Sequence, residues 1–238
     1  MYSVGKFCMA SSPTTEEVIP YALLGMTAVT GLVDAVSFLS LGRVFTANMT
    51  GNIVLLAFAT APVSGLSIAR SLTALLAFLA GAVLGGRVMA GASADSQIRF
   101  AVQAFLLEVA FLFAASFCGI GYRADLLEDS FQPFALIALT ALAMGTRNAA
   151  VRKLAIPDLT TTVLTLTITG IGADSSLAKG NNPRLARRLE SIAAMFLGAA
   201  LGAVVIHYSI SAALCFAAAI SAVCSAALFL SLRTSDKL

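Results

Sequence analysis

Six stretches of this chain stay apolar for about 20 residues each, the length a helix needs to cross a hydrocarbon core roughly 30 Å thick. They occupy residues 21–41, 71–90, 100–122, 131–151, 185–208 and 209–232. Only 11% of the 238 residues are charged, against about 25% in a soluble domain, so a water-soluble globular fold is excluded. Pro20 stands where a helix start tolerates proline. The connection at Tyr208 and Ser209 is so tight that the last two spans are expected to form an antiparallel hairpin.

Two further apolar runs, 53–61 and 163–171, are too short to span. Each opens on a polar cluster, Asn48-Met49-Thr50-Gly51-Asn52 in one case and Asp158-Leu159-Thr160-Thr161-Thr162 in the other. With its opening each run makes a helix of about 13 residues, or roughly 20 Å, a length more often re-entrant or buried than spanning. Asn48 or Thr50 is expected to cap the first short helix, and Pro157 with Asp158 the second.

Basic residues arbitrate between six spans and eight, because cytoplasmic loops carry an excess of Lys and Arg. If all eight runs span, Arg43, Arg87, Arg99, Arg147, Arg152 and Lys153 fall outside. If the short runs dip in and return, only Arg43, Arg70 and Arg123 do, and the other twelve of the fifteen basic residues lie inside. The acidic loop of Asp125, Glu128 and Asp129 then also falls outside. The expected fold is therefore an all-α membrane protein of six transmembrane helices plus two short re-entrant helices. Both termini would be cytoplasmic. Residues 1–19 lack the apolar run of a signal peptide and read as an uncleaved tail, residues 20–232 as one membrane domain, and residues 233–238 as a second tail.

The chain also looks duplicated. Gly31, Asp34 and Ala35 recur as Gly145, Asn148 and Ala149 at an offset of 114 residues, and the polar clusters, Asn48 against Asp158, at 110. Phe78-Leu79-Ala80-Gly81-Ala82 resembles Phe196-Leu197-Gly198-Ala199-Ala200 at 118. Three spans per half (20–122 and 131–232) would invert the second half relative to the first. Inverted repeats with broken helices at the midplane are a recurring plan of transporters and channels.

These residues resemble a known family. Gly31-Leu-Val-Asp34-Ala35, Ser37-Phe38, Leu41-Gly42 and the run from Val44 to Asn52 are similar to the signature of the YoaK-type membrane proteins of bacteria and fungi. Gly145-Thr-Arg147-Asn148-Ala149-Ala150 and Asp158-Leu-Thr160-Thr161-Thr162 resemble that family's second signature. The resemblance implies a protein of roughly six spans in the inner membrane. It carries no activity and no site residue with it.

The candidate site follows from the broken helices. Their N-termini would face the midplane from opposite sides, where dipoles and free N–H groups favour an anion or a polar group. Asn48, Thr50, Asn52, Asp158, Thr160, Thr161 and Thr162 would line it, unless they only satisfy irregular backbone that lipid cannot. Thr162, Thr165 and Thr169 fall on one helical face and either line a polar path or bond back to their own helix. Asp34 and Glu108 are acids inside spans, where charge is costly and needs a partner or a cavity. Asp34 with Arg147 is read as a pair bridging the repeats; Asp34 or Glu108 as a coupling site is the alternative. Arg147 could instead bind a substrate anion or snorkel to the interface.

The remaining features are bland. Gly81, Gly85, Gly86, Gly198 and Gly202 suit close helix packing within the chain first and a homo-oligomer face second. Cys8, Cys118, Cys215 and Cys224 read as buried inert thiols, and His207 as an interfacial residue with no metal cluster around it. Arg184, Arg187 and Arg188 suit anchoring to anionic head groups. With no Trp, interfacial aromatics rest on Tyr21, Tyr122, Tyr208 and the Phe residues. No nucleic-acid surface, cofactor motif or catalytic set is present, so an enzyme is not expected. The expected function is a transporter or channel for a small polar solute, anions favoured, and the alternative is a non-transporting scaffold or lipid-interacting protein.

Overall fold

The computed structural model describes residues 15–61, 65–93, 96–122 and 131–235, and among these residues it has eight α-helices. Six are long and apolar enough to cross a membrane: α1 (Thr15–Ser40), α3 (Ile68–Val88), α4 (Gln97–Cys118), α5 (Gln132–Leu154), α7 (Leu185–Val205) and α8 (Ile210–Ser235). Two are short, α2 (Met49–Phe58) and α6 (Thr165–Ala173). Among the described residues there is no strand. Cys8, Arg123, Asp125, Glu128, Asp129 and, of the expected tails, residues 1–14 and 236–238 lie outside the described residues.

The helix limits have local causes, and several differ from expectation. The first helix begins at Thr15, which places Glu16 and Glu17 in its first turn, where acids complement the positive end of the helix dipole. Pro20 therefore sits inside the helix, beyond the start expected for it. Asn48 caps α2 as expected, accepting from the Gly51 N–H at 3.3 Å. The last residue before α6 is Leu164, with no side-chain cap, so Pro157 and Asp158 do not start that helix. Pro157 disfavours helical backbone in the residue before it, and Asp158 and Thr161 are left-handed (φ 64° and 61°), a conformation that cannot propagate a helix.

Close helix pairs follow the glycines. Gly31 of α1 lies against the Met195 carbonyl and Ala199 amide of α7, and Gly145 of α5 lies against the Phe78 carbonyl and Ala82 amide of α3. Gly198 and Gly202 abut the α1 backbone at Ala28 and Leu32, while Gly81 and Gly85 abut the α5 backbone at Leu142 and Thr146. A Cβ at any of these would collide with main chain. In both pairs the contact positions advance in step, so α1 runs parallel to α7, and α3 parallel to α5. Lipid tails are as apolar as these side chains, so association rests on such close approach and on interhelical hydrogen bonds. The Thr146 hydroxyl to the Gly81 carbonyl (3.2 Å) is one. Reciprocal bonds between Ser116 and Ser211, each hydroxyl to the other's carbonyl at 2.9 and 2.8 Å, are another, joining α4 to α8.

Two expectations need correction here. The expected hairpin of α7 and α8 is a tight turn but not a packed pair: α8 lies mainly on α4 and α1, and α7 on α1. Of the cysteines expected to be buried, Cys224 is buried, but Cys118 and Cys215 are exposed. In a helix wrapped by lipid, an apolar run does not distinguish the core face from the lipid face.

The ends of the short helices close on themselves. Gly42, just after α1, sits against the Arg70 side chain in the first turn of α3, and Gly65, after α2, sits beside Arg43, which precedes it. At the other short helix, Arg188 at the start of α7 bonds Asp158 ahead of α6 (3.2 Å) and Asp174 behind it (2.7 Å).

Candidate functional site

Each short helix is led in by an irregular segment that a polar residue of a long helix pins down. Asp34 of α1 accepts from the backbone N–H groups of Thr46 (3.2 Å) and Ala47 (2.9 Å) through Oδ1. Asn148 of α5, at the matching place in the chain, holds the Thr162 hydroxyl, which lies 3.0 Å from its Nδ2 and 3.2 Å from its Oδ1. Asn52 pins the first segment from the other side. Its Oδ1 accepts from the Phe45 N–H at 2.9 Å and its Nδ2 donates to the Phe45 carbonyl. Irregular backbone at membrane depth needs such partners because lipid offers none.

A cavity of about 520 Å³ lies between the N-terminal ends of α2 and α6. Asn48, Thr50 and Gly51 form one wall, Thr162 and Thr165 the other, and Phe45 and Met195 reach in from the sides. No charged side chain lines it. Phe45 also stacks on Phe38, ring centroids 4.9 Å apart. A second cavity, about 480 Å³, runs on from Thr162 and Val163 along Asn148, Arg152, Asp158 and Thr160.

The expected site residues thus separate. Asn48, Thr50 and Thr162 come together around the central cavity, and Thr165 joins them, with Thr162 opposite Asn48 rather than Asp158. Asn52 is fully buried and bonded to backbone, so it lines nothing. Thr160 bonds the Val163 carbonyl (2.9 Å) and lines only the second cavity. Thr161 is buried away from the central cavity, and its hydroxyl has no partner among the described residues. The expected threonine face divides: Thr162 precedes the helix, and Thr165 lines the central cavity while Thr169 does not.

Asp158 belongs to an ion-pair group, with Arg184 Nε at 2.7 Å and Arg188 Nε at 3.2 Å. Partial burial works to raise its carboxyl, but hydrogen bonds from Arg184 and Arg188 win and hold it below the usual carboxylate range. Both arginines thus pair with a carboxylate, Arg188 almost wholly buried and Arg184 half-exposed.

The bridging pair is also different from the one expected. Arg147 is fully buried, so it does not snorkel. It donates to Glu108 Oε1 of α4 (2.9 Å), to the Met26 carbonyl of α1 (2.9 Å) and to the Thr30 hydroxyl. Asp34 is not its partner; the nearer backbone N–H groups of 46 and 47 satisfy that carboxylate instead. Neither Arg147, Glu108 nor Asp34 lines the central cavity. Phe45 and Met195, the side walls, carried no polar signal that reading the sequence would catch.

A family profile described as a protein of unknown function (DUF1275) matches residues 22–227. The chain is 39% identical over 156 residues to the UPF0700 transmembrane protein YoaK of Bacillus subtilis (strain 168), a match covering 65% of this chain and 65% of that protein's length. No solved structure matches. The six apolar helices, the two signatures and this match agree: the chain is a multi-pass membrane protein in contact with the bilayer, and it belongs to the DUF1275 family.

Proposed function

We propose that the protein is a transporter or channel for a small polar solute, anions favoured, which meets it in the cavity between the two short helices. The observation that carries the reading is the convergence of Asn48, Thr50, Thr162 and Thr165 on one uncharged space, with a helix N-terminus on each side and the apolar Val54, Leu55, Val163, Leu164 and Ile168 completing its walls. Helix N-termini supply unpaired N–H groups and a positive dipole end, while the absence of a lining carboxylate leaves that preference unopposed.

The architecture behind this reading is two inverted halves, each with a re-entrant helix. Support for re-entrance is that the chain leaves and regains the same end of the bundle: Arg43 beside Gly65 around α2, and Asp158 and Asp174 on one arginine around α6. Support for the repeat is the matched pair of glycine contacts, Gly31 on α7 and Gly145 on α3, on equivalent backbone atoms. The second cavity is the route from the basic end of α5 to the centre, and the stacked Phe38 and Phe45 rings close the other way. On this reading the protein binds and moves its solute without chemistry.

Flux into proteoliposomes tests it, with a panel of small inorganic anions, carboxylates and neutral polyols. The expected result is uptake above protein-free vesicles, reduced about tenfold in Thr162→Val or Asn48→Ala, the loss of roughly one hydrogen bond to a bound solute. If monodisperse protein moves none of them, the scaffold alternative replaces this reading.

A further inference from the structure

We propose that the groove between the last turns of α3 and α5 binds an anionic phospholipid from the leaflet it faces, with the head group on Arg152 and Lys153. The groove is a cavity of about 500 Å³. Phe78, Ala82 and Gly86 form its α3 wall, spaced every four residues and so stacked along about 12 Å of one helix face. Asn148 closes its inner side, and Arg152 and Lys153 stand at the end of α5. No carboxylate lines it.

Two independent features point to an occupant with a charged head and an apolar tail. The first is Gly86. Its neighbours Gly81 and Gly85 are pressed against the α5 backbone, but a Cβ at Gly86 would meet nothing within 4 Å. Helix packing does not require that glycine; its missing side chain leaves the groove open for an acyl chain. The second is charge. At this end of the bundle Arg184 and Arg188 are taken by Asp158 and Asp174, and Arg187 shares a cavity with Glu16, Glu17 and Glu190. Arg152 and Lys153 are exposed and make no ion pair among the described residues. Both would complement the α5 dipole in any case, but a basic pocket between membrane helices is the arrangement that holds anionic head groups.

The test is native mass spectrometry of the full chain, with phosphatidylglycerol and phosphatidylcholine of the same acyl chains as probes. Phosphatidylglycerol should be retained in preference to phosphatidylcholine. Arg152→Gln with Lys153→Gln should lower its affinity about thirtyfold, from about a factor of five to six per basic residue, and leave phosphatidylcholine unchanged. Gly86→Leu should weaken both lipids, Lys179→Gln neither, and soluble glycerol phosphate should not displace the bound lipid. Equal retention of the two lipids, full phosphatidylglycerol binding by the double glutamine variant or by monodisperse Gly86→Leu, or displacement by glycerol phosphate each overturns the proposal. The glutamine changes fall on exposed side chains, so they keep the test decisive if Gly86→Leu does not fold. Solute flux is not read, so the result is separate from the transport reading.

Discussion

Arg147 shows how one residue can set the centre of a membrane bundle. It is fully buried, and it ties α5 to Glu108 of α4 and to two groups of α1. Removing one partner of a buried ion pair strands the other charge, which costs about 3–5 kcal/mol, whereas replacing both by apolar groups is often neutral. Arg147→Met or Glu108→Leu alone should therefore lower the thermal unfolding temperature in detergent sharply, and the double variant should recover much of the loss. A double variant as unstable as the sum of the singles would contradict the pairing. Asp34 is a different case, because it serves backbone N–H groups. Asp34→Asn keeps an acceptor at the same place and should retain both the fold and the pH profile of any flux. Asp34→Ala should unmoor the segment before α2 and cost about 1–3 kcal/mol of stability, the penalty of buried donors left unpaired. A pH profile altered by Asp34→Asn would restore a coupling role to that carboxylate.

Among the elements, the spans were legible because each apolar run matches bilayer thickness, and the glycine spacing announced close contacts without saying which helix each would meet. The limits of α6 were not legible: Asp158 looks like a cap in isolation, but its partners Arg184 and Arg188 lie 26 and 30 residues further on. The choice of Glu108 over Asp34 for Arg147 was hidden for the same reason, since both acids sit in apolar runs and only packing decides. The glycine contacts predict matched sensitivities. Gly31→Ala and Gly145→Ala should each destabilise by about 1–3 kcal/mol through overpacking, and Gly86→Ala should be near neutral; unfolding in detergent reads all three. The ion-pair group around α6 predicts a pH response. The Asp158 carboxyl lies below its ordinary value of 3.8, so its anchoring is complete above that range and is lost as pH falls through the lowered value. A spin label at Leu177, which is exposed beyond α6, should gain mobility as the pH falls there. In Asp158→Asn or Arg188→Gln it should be mobile at neutral pH already. Unchanged mobility in both variants would mean that the group does not hold α6.

At the scale of the whole molecule, everything proposed for the centre depends on which ends of the chain share a side of the membrane. With α1 parallel to α7 and α3 parallel to α5, and with α1 and α3 meeting at Gly42 and Arg70, six long helices alternate in direction only if α2 and α6 do not cross. Spanning short helices would instead put Arg87, Arg99, Arg152 and Lys153 outside, opposite to where basic residues are favoured. Single cysteines at Thr60, Ser93 and Leu177, on a background without the native thiols, separate the two arrangements. A membrane-impermeant thiol reagent on intact cells should label Thr60→Cys and spare Ser93→Cys and Leu177→Cys, with all three labelled after permeabilisation. Labelling of Ser93→Cys in intact cells with Thr60→Cys protected would mean that α2 crosses. The halves would then run in the same sense, and the two helix N-termini could not meet at the cavity from opposite sides.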